Sequence, residues 1–400
     1  MKNKKKAKRK IGKANPFIYA IVYLILKRKY TKKYNISYDK SIVKSIKGPA
    51  IVLATHTCDE DHVLSALTLY PIRPTYVVSE HFLHNKKTAR LLKLMHVIPK
   101  KMFNADVTTI INIMRAKSEN AVIVIFPEGR LSCYGHSMPV TEGTAQLIKK
   151  LGVDVYHWQA DGAYLTFPKW RDKGDARIGK INCSVKSLIS AEELSKMSVD
   201  AVTERVEAAI LHDDELAMAG VEYKSRDIAR GVDKILYKCP TCNSDGALTA
   251  ACGHITCSCG LDVALDECYR LHNAPFERID EWFEWQIKML DTDGDKLYSS
   301  ARLGACGDDG FMDPSAGTCE IFLDKNEFKL VGTLRGDSIE FTIAPEKIGA
   351  FPITPGDHFD VYYKGELLYV YPEPDMRLTV KWVTFLDKLV AAKKACLQVK

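Results

Sequence analysis

The run AVIVIF at residues 121–126 constrains the fold more than any other feature of this 400-residue chain. Six consecutive apolar residues rich in β-branched side chains predict a central strand covered on both faces. The run AIVLA at residues 50–54 predicts a second buried strand. Stretches with helical spacing alternate with strand-like stretches around these two runs. The alternation predicts an α/β domain, whose boundaries we place at residues 36–220.

Positive charge is concentrated at the N-terminus. The chain has 57 Lys/Arg and 50 Asp/Glu, and residues 1–33 hold 13 of the basic side chains and none of the acidic ones. Ten apolar residues, 17–26, lie between two basic clusters, whereas a simple spanning helix needs about 20. A basic stretch follows them instead of a small-residue cleavage site, which argues against a signal peptide.

The N-terminal pattern therefore predicts that residues 1–35 associate with an anionic membrane surface as an interfacial anchor. A disordered tail followed by one buried helix is the alternative interpretation. Nucleic acid is not expected as a partner, because no groove of basic and aromatic residues accompanies the charge.

The motif THTCDED follows the predicted strand AIVLA, at a position where α/β folds place reactive groups. His56 and Asp61 can meet only if the chain turns between them. A carboxylate on one ring nitrogen fixes the tautomer and raises the basicity of the other, which can then deprotonate a hydroxyl. Asp59 and Glu60 are alternative partners for His56. A Cys58 nucleophile is disfavoured, because Cys58 is only two residues from His56.

The motif FPEGR at residues 126–130 follows the strongest predicted strand. Glu128 and Gly129 place a carboxylate and a flexible backbone at the end of that strand. Arg130 supplies a rigid guanidinium suited to phosphate. The motif thus indicates a site for an anionic group, with an ordinary turn as the alternative.

Together, the two motifs resemble the glycerolipid acyltransferase superfamily of the 1-acylglycerol-3-phosphate acyltransferase type, whose hallmarks are NHxxxxD and an FPEGTRS-type sequence. The resemblance covers roughly residues 45–215 and implies a mixed sheet with flanking helices. It implies that His56 is a general base, oriented by Asp61, for a glycerol hydroxyl that attacks an acyl thioester. Glu128 and Gly129 then match residues that hold the phosphate of the acceptor, and Ser132 matches the serine of that motif.

The sequence also departs from the family pattern. Thr55 replaces the Asn, Arg130 stands one residue early, and Asp154 stands where the family usually has Pro. The stretch HVIPK best approximates the family's second motif. Lys100 or Lys101 would then stand in for a phosphate-binding Arg, with a solvated surface pair as the alternative.

A cysteine cluster follows the α/β domain. Cys239 and Cys242 form one pair, and Cys257 and Cys259 form a second, one residue shorter than the common spacing. The pattern predicts a zinc ribbon over residues 235–265, with a structural Zn²⁺ because four thiolates leave no open coordination position. Cys252 or His254 could replace one ligand. Thiolates kept for a metal also favour a reducing cytosolic compartment.

The last part of the chain, residues 276–400, combines an amphipathic helix with short alternating strands and a terminal helix. The predicted strands are TCEIFL, EFKLVGTL, SIEFTI, HFDVYY, ELLYVY and RLTVKW. This pattern predicts a small β barrel or sandwich that resembles the pleckstrin-homology type.

The resemblance implies transfer of a fatty acyl group from acyl-CoA or acyl carrier protein to a lysophospholipid, with lysophosphatidate as the first expected acceptor. The basic N-terminus would hold such an enzyme peripherally on the cytoplasmic face of the cell membrane. An acyltransferase acting on another lysolipid or on an acylated amino acid is an alternative. A non-catalytic lipid-binding adaptor, whose C-terminal half recruits a protein, is another.

Overall fold

The computed structural model describes residues 11–83, 86–101, 107–172, 174–175, 177–307 and 312–398. The basic residues of positions 2–10, which belong to the predicted membrane-associating segment, lie outside these ranges. Among the helices that the structure describes, none combines the length and the apolar character needed to cross a membrane.

A mixed sheet forms the centre of the first half of the chain, as the family resemblance implies, and it has seven strands. Its strands are β1 Asn35–Tyr38, β2 Ala50–Ala54, β3 Thr75–Ser79, β4 Ile98–Lys100, β5 Val122–Ile125, β6 Asp154–Asp161 and β7 Lys180–Ile189. The order is β1-β7-β6-β2-β5-β3-β4. The five strands from β6 to β4 are parallel, β7 is antiparallel to β6, and β1 is parallel to β7.

Helices flank this sheet. They are α1 Pro16–Lys33, α2 Asp61–Leu69, α3 Lys86–Leu94, α4 Val107–Ser118, α5 Thr144–Leu151, α6 Ala163–Thr166, α7 Ala191–Lys196, α8 Val199–Ile210 and α9 Asp214–Ala217. Strand β2 shows why the central strands are apolar throughout. Val52 lies in the hydrophobic core on one face of the sheet, and Ile51 and Leu53 lie in the core on the other. Both faces are therefore covered.

A small antiparallel sheet follows, which we call the Cys-rich sheet. Its strands are β8 Leu248–Ala251, β9 His254–Cys257, β10 Asp262–Leu265 and β11 Leu271–His272, in the order β11-β10-β9-β8. Cys239 and Cys242 precede β8, Cys257 is the last residue of β9, and Cys259 follows it. The pairing of β8 with β9 therefore brings the two cysteine pairs together.

The remaining elements form what we call the C-terminal module. They are α10 Ile279–Lys288, β12 Leu297–Cys306, β13 Met312–Leu323, β14 Phe328–Leu334, β15 Asp337–Ile343, α11 Pro345–Ile348, β16 Ile353–Thr354, β17 His358–Tyr363, β18 Glu366–Glu373 and α12 Thr379–Gln398. The seven strands form an antiparallel sheet in the order β15-β14-β13-β12-β18-β17-β16. The resemblance of this module to the pleckstrin-homology type stays a prediction.

The predicted strand RLTVKW is wrong, because α12 begins at Thr379. Alternating Leu, Val and Trp suggested a strand. However, the buried residues continue as Val383, Leu386, Leu389 and Val390. Separations of three, four and seven residues among these positions are those of one apolar face of a helix.

One hydrophobic core joins the Cys-rich sheet and the C-terminal module and extends to Tyr164 and Trp170 of the α/β domain. Helix α10 also binds the first cysteine turn directly. The Gln286 side chain accepts from the backbone N–H of Tyr237 at 2.9 Å, and the Trp282 indole donates to the carbonyl of Lys238 at 3.0 Å. The two halves of the molecule are thus packed against each other rather than joined only by a linker.

Candidate active site

The two predicted motifs begin side by side at one edge of the sheet. Strands β2 and β5 are parallel neighbours, and Leu53 pairs with Ile125. Each motif starts within three residues of that pair, so both begin at the carboxyl ends of adjacent strands. Sheets of this type place their reactive groups at this edge.

His56 and Asp61 are in contact. The Nδ1 atom of His56 lies 3.0 Å from Oδ2 of Asp61, whose side chain is completely buried. Asp61 is the first residue of α2, and the preceding turn directs the backbone N–H groups of Thr57 and Cys58 at the same Oδ2, at 2.7 and 2.9 Å. The turn between strand and helix therefore supplies the bend that the sequence analysis required.

The other acidic residues of the motif do not compete for His56. Glu60 pairs with Arg171 at 3.0 Å, and Asp59 is exposed. The Cys58 thiol is buried and donates to Oδ1 of Asp61 at 3.1 Å. Burial and the neighbouring carboxylate raise the pKa of Cys58 well above its usual value, so that the thiolate needed for nucleophilic attack is strongly disfavoured.

Glu128 connects the second motif to the first. Its two carboxyl oxygens accept the backbone N–H of His56 at 2.6 Å and that of Met138 at 2.5 Å, and its side chain is buried. Burial raises the pKa of Glu128 to about 8, although the two N–H bonds oppose that rise. Glu128 therefore fixes the main chain at His56. Its predicted contact with a phosphate stays a prediction.

The turn at Gly129 has room for no side chain. Its φ is +71°, and a Cβ atom there would lie 2.8 Å from the Cγ2 of Thr141. The loop returns to the site at Ser132, whose backbone N–H points at the carbonyl of His56 at 3.4 Å. Glu128 and Ser132 thus both contact the main chain of His56, and residues 129–131 form the arch between them.

Arg130, in the middle of this arch, is paired with the C-terminal module. Its guanidinium donates to Asp387 of α12 at 2.6 Å, and the two side chains are 14% and 27% exposed. Other contacts hold the same loop against the module. Tyr134 stacks on Phe283 of α10 with 4.3 Å between ring centres.

His136 continues this interface. It lies 2.8 Å from Asp280 of α10 and 3.3 Å from Asp213. These three side chains could in principle surround a metal ion, but Arg278 donates to both oxygens of Asp280, at 2.8 and 2.7 Å. Since Arg278 already occupies both oxygens of Asp280, we treat the cluster as an ion-pair network that docks α10.

Lys100 and Lys101 lie at the same edge of the sheet but further from His56. Lys100 ends β4 and pairs with Ser79 of β3. Three strand spacings separate β4 from β2, which places Lys100 roughly 14 Å from the strand that precedes His56. A phosphate role for either lysine stays a prediction.

The four predicted metal ligands come together. The sulfur atoms of Cys239, Cys242, Cys257 and Cys259 all lie within 4.8 Å of one another, and this group could hold a metal ion. The Sγ atoms of Cys239 and Cys259 are 3.7 Å apart, and those of Cys242 and Cys257 are 3.8 Å apart.

The two alternative ligands lie outside this group. The side chain of Cys252 is exposed, while its backbone N–H binds Asp227. His254 instead contacts Asp262 at 2.6 Å.

Helix α1 presents an apolar stripe to solvent. Phe17, Ile21, Leu24 and Ile25 are between 58% and 79% exposed. The opposite face is held on the domain by Tyr19 and Tyr30, which are buried. Strand β1, which follows α1, is parallel to β7 and therefore antiparallel to β6. The basic C-terminal end of α1 therefore lies at the sheet edge that carries His56.

Two contacts at the site could not be inferred from the sequence. Asp387 is 257 residues from Arg130. Thr55, which departs from the family pattern, contacts Nε2 of the buried His157 at 2.9 Å. Burial lowers the pKa of His157 to about 4, so that this ring is neutral at neutral pH. Neither partner belongs to a recognisable motif.

A family model described as Acyltransferase matches residues 26–157, about a third of the chain. The matched segment contains His56, Asp61 and the FPEGR turn. Among solved structures, the chain is similar to the crystal structure of the 1-acyl-sn-glycerophosphate (LPA) acyltransferase PlsC from Thermotoga maritima. That similarity has 16% identity and a TM-score of 0.42, and it covers 48% of this chain and 77% of that chain. The family match confirms the predicted resemblance to acyltransferases for residues 26–157.

Proposed function

We propose that this chain transfers a fatty acyl group from a thioester, acyl-CoA or acyl carrier protein, to the free hydroxyl of a lysophospholipid. The first acceptor to test is 1-acylglycerol-3-phosphate. The observation that carries the proposal is the contact between His56 and the buried Asp61 at the carboxyl edge of the sheet, within the segment that matches acyltransferases.

The reaction follows from this geometry. Asp61 holds Nδ1 of His56, which leaves Nε2 to take the proton of the acceptor hydroxyl. The hydroxyl oxygen then forms a bond to the thioester carbonyl carbon, and the carbon–sulfur bond breaks as the tetrahedral intermediate collapses. The departing thiolate takes the proton from His56, which regenerates the base. The buried carboxylate stabilises the imidazolium that exists between the two proton transfers.

The acceptor's phosphate would bind beside His56, at the arch formed by Gly129 and Arg130. The absence of a side chain at Gly129 lets an anionic group approach the backbone there. Lys100 and Lys101 would add positive charge along the same edge of the sheet. This arrangement would orient the free hydroxyl of the acceptor toward Nε2 of His56.

We also propose that α1 is the surface that meets the membrane, peripherally and on the cytoplasmic face. Its exposed apolar stripe can enter the headgroup region, and its basic end can contact anionic lipid. Vesicle flotation tests this. Leu24→Asp should release the protein from anionic vesicles, whereas Ile178→Asp, at an exposed apolar residue elsewhere, should not. Equal flotation of both variants would refute the proposal.

For the cysteine group we propose a structural Zn²⁺. Tetrahedral coordination with Zn–S bonds of about 2.3 Å places sulfur atoms about 3.8 Å apart. The separations of 3.7 and 3.8 Å support this geometry. With all four positions taken by thiolates, the ion would stabilise the Cys-rich sheet and take no part in acyl transfer.

The deciding experiment measures acyl transfer to lysophosphatidate in anionic liposomes, with both thioester donors and mass spectrometry of the lipids. Wild type should form phosphatidate, and His56→Ala should not. His272→Ala is the matched control, since His272 contacts Asp266 at 2.8 Å on the Cys-rich sheet, away from the site. Absence of product with either donor, or full activity of His56→Ala, would refute the proposed reaction.

A further inference from the structure

The pairing of Arg130 with Asp387 has a consequence for acceptor choice. Arg130 is the residue of the FPEGR motif best suited to bind phosphate, yet its guanidinium already donates to a carboxylate at 2.6 Å. An acceptor phosphate that binds Arg130 would lie close to the Asp387 carboxylate, which already accepts a hydrogen bond from the same guanidinium. Like charges at such a distance disfavour binding, and more strongly in a partly buried site than in water.

Asp387 is held in place by its helix. Phe385 and Leu386, the two residues before it, are fully buried, and Leu389 is nearly so. The next residue, Lys388, donates to the carbonyl groups at the end of α10, including that of Leu290 at 2.5 Å. The carboxylate therefore has a fixed position on a packed helix, unlike that of a mobile surface residue.

Arg130 is fixed with equal firmness. The residues on either side of its arch, Glu128 and Ser132, both contact the main chain of His56. The loop is docked on the C-terminal module again at Tyr134 and at Glu142, the latter 2.6 Å from Lys394 of α12. Since both partners sit on rigid elements, the pair persists unless a ligand competes for Arg130.

We propose that Asp387 is a specificity-determining residue, which competes with the phosphate of the acceptor for Arg130 and so weakens the binding of phosphomonoester lipids. The proposal rests on the proposed acyl transfer. It predicts that the C-terminal module acts on KM for acceptors that carry a phosphate and leaves the chemistry at His56 unchanged. An acceptor without a phosphate does not experience the competition.

Acceptor kinetics test this, with lysophosphatidate and a monoacylglycerol of the same chain length in mixed micelles. Asp387→Asn keeps the shape of the side chain and removes its charge. We expect KM for lysophosphatidate to fall about three- to tenfold, with kcat within about twofold of wild type. KM for monoacylglycerol should not change.

Lys394→Gln is the matched control, because it removes another ion pair between the same helix and the same loop. It should leave both KM values unchanged. An unchanged KM for lysophosphatidate in Asp387→Asn overturns the inference. An equal change for both acceptors also overturns it, because it would indicate a merely structural role.

Failure of the proposed function gives a different result. If wild type acylates neither acceptor, the proposed reaction fails with these acceptors irrespective of Asp387. Equilibrium binding of lysophosphatidate in mixed micelles then decides the inference. Asp387→Asn must bind the lipid at least about threefold more tightly than wild type, and equal affinity overturns the proposal.

Discussion

Replacement of Asp61 by Asn isolates the charge of the carboxylate from its shape. Oδ2 of Asp61 accepts from the N–H groups of Thr57 and Cys58 and from His56. In the variant, the amide oxygen should take this position, because an NH₂ group would face two N–H donors. The hydrogen bond to His56 then survives, but the negative charge that stabilises the imidazolium is lost.

The size of the effect follows from the distance. The two charge centres lie about 4 Å apart, and at an effective dielectric constant of about 20 their attraction is about 4 kcal/mol. Since each 1.36 kcal/mol is tenfold in rate, kcat should fall about 10²- to 10³-fold. KM should change little, because the charge acts mainly once the imidazolium forms.

The assay follows thiol release from the acyl thioester in the presence of acceptor, at saturating concentrations of both. Thermal unfolding measured in parallel shows whether the variant folds. Asp59→Asn is the matched control, since Asp59 is exposed in the same turn, and it should retain wild-type kcat. A folded Asp61→Asn enzyme with kcat within about threefold of wild type would falsify the role assigned to Asp61.

Three further predictions concern stability. The raised pKa of Glu128, about 8 against an ordinary 4.5, means that the folded state binds more protons between these values. Wild-type stability should therefore fall as pH rises through that window. In pH-dependent urea unfolding, Glu128→Gln should flatten this dependence of stability on pH. The substitution should also lower the free energy of unfolding by about 1–3 kcal/mol, because one backbone N–H loses its acceptor. An unchanged pH dependence would contradict the role assigned to Glu128. Gly129→Ala should lower the free energy of unfolding by about 1–3 kcal/mol in the same measurement, because of the positive φ and the close approach to Thr141. A variant as stable as wild type would show that the loop relaxes. Cys242→Ser should abolish binding of one Zn²⁺ per chain, measured by elemental analysis, and lower the unfolding temperature; equal zinc content in wild type and variant would rule out the four-thiolate site.

The site was predictable from the sequence where its geometry is local. His56 and Asp61 are close in the chain, and a strand followed by a turn and a helix is enough to bring them together. The FPEGR motif needed one further condition, that its strand lies beside the strand before His56. Two apolar runs of similar character in an α/β pattern made that adjacency a reasonable expectation.

Other features do not follow from the predicted pattern of strands and helices. Strand β7 has no counterpart among the predicted strands, although its buried residues Ile181, Cys183 and Val185 alternate as in a half-buried strand. The start of α12 is predicted as a strand, because a short apolar alternation fits both a strand and one face of a helix. The pair of Arg130 and Asp387 joins segments 257 residues apart, and single-sequence patterns contain no signal for such a contact.

Helix α10 joins the cysteine cluster to the loop that supports His56. One end of this link is the pair of contacts that Gln286 and Trp282 make with the first cysteine turn. The other end is Phe283 against Tyr134. Since these side chains project from the same ten-residue helix, we expect order at the thiolates to be coupled to order at the loop. A chelator should therefore act as a remote inhibitor of acyl transfer, although it touches no group that takes part in the reaction.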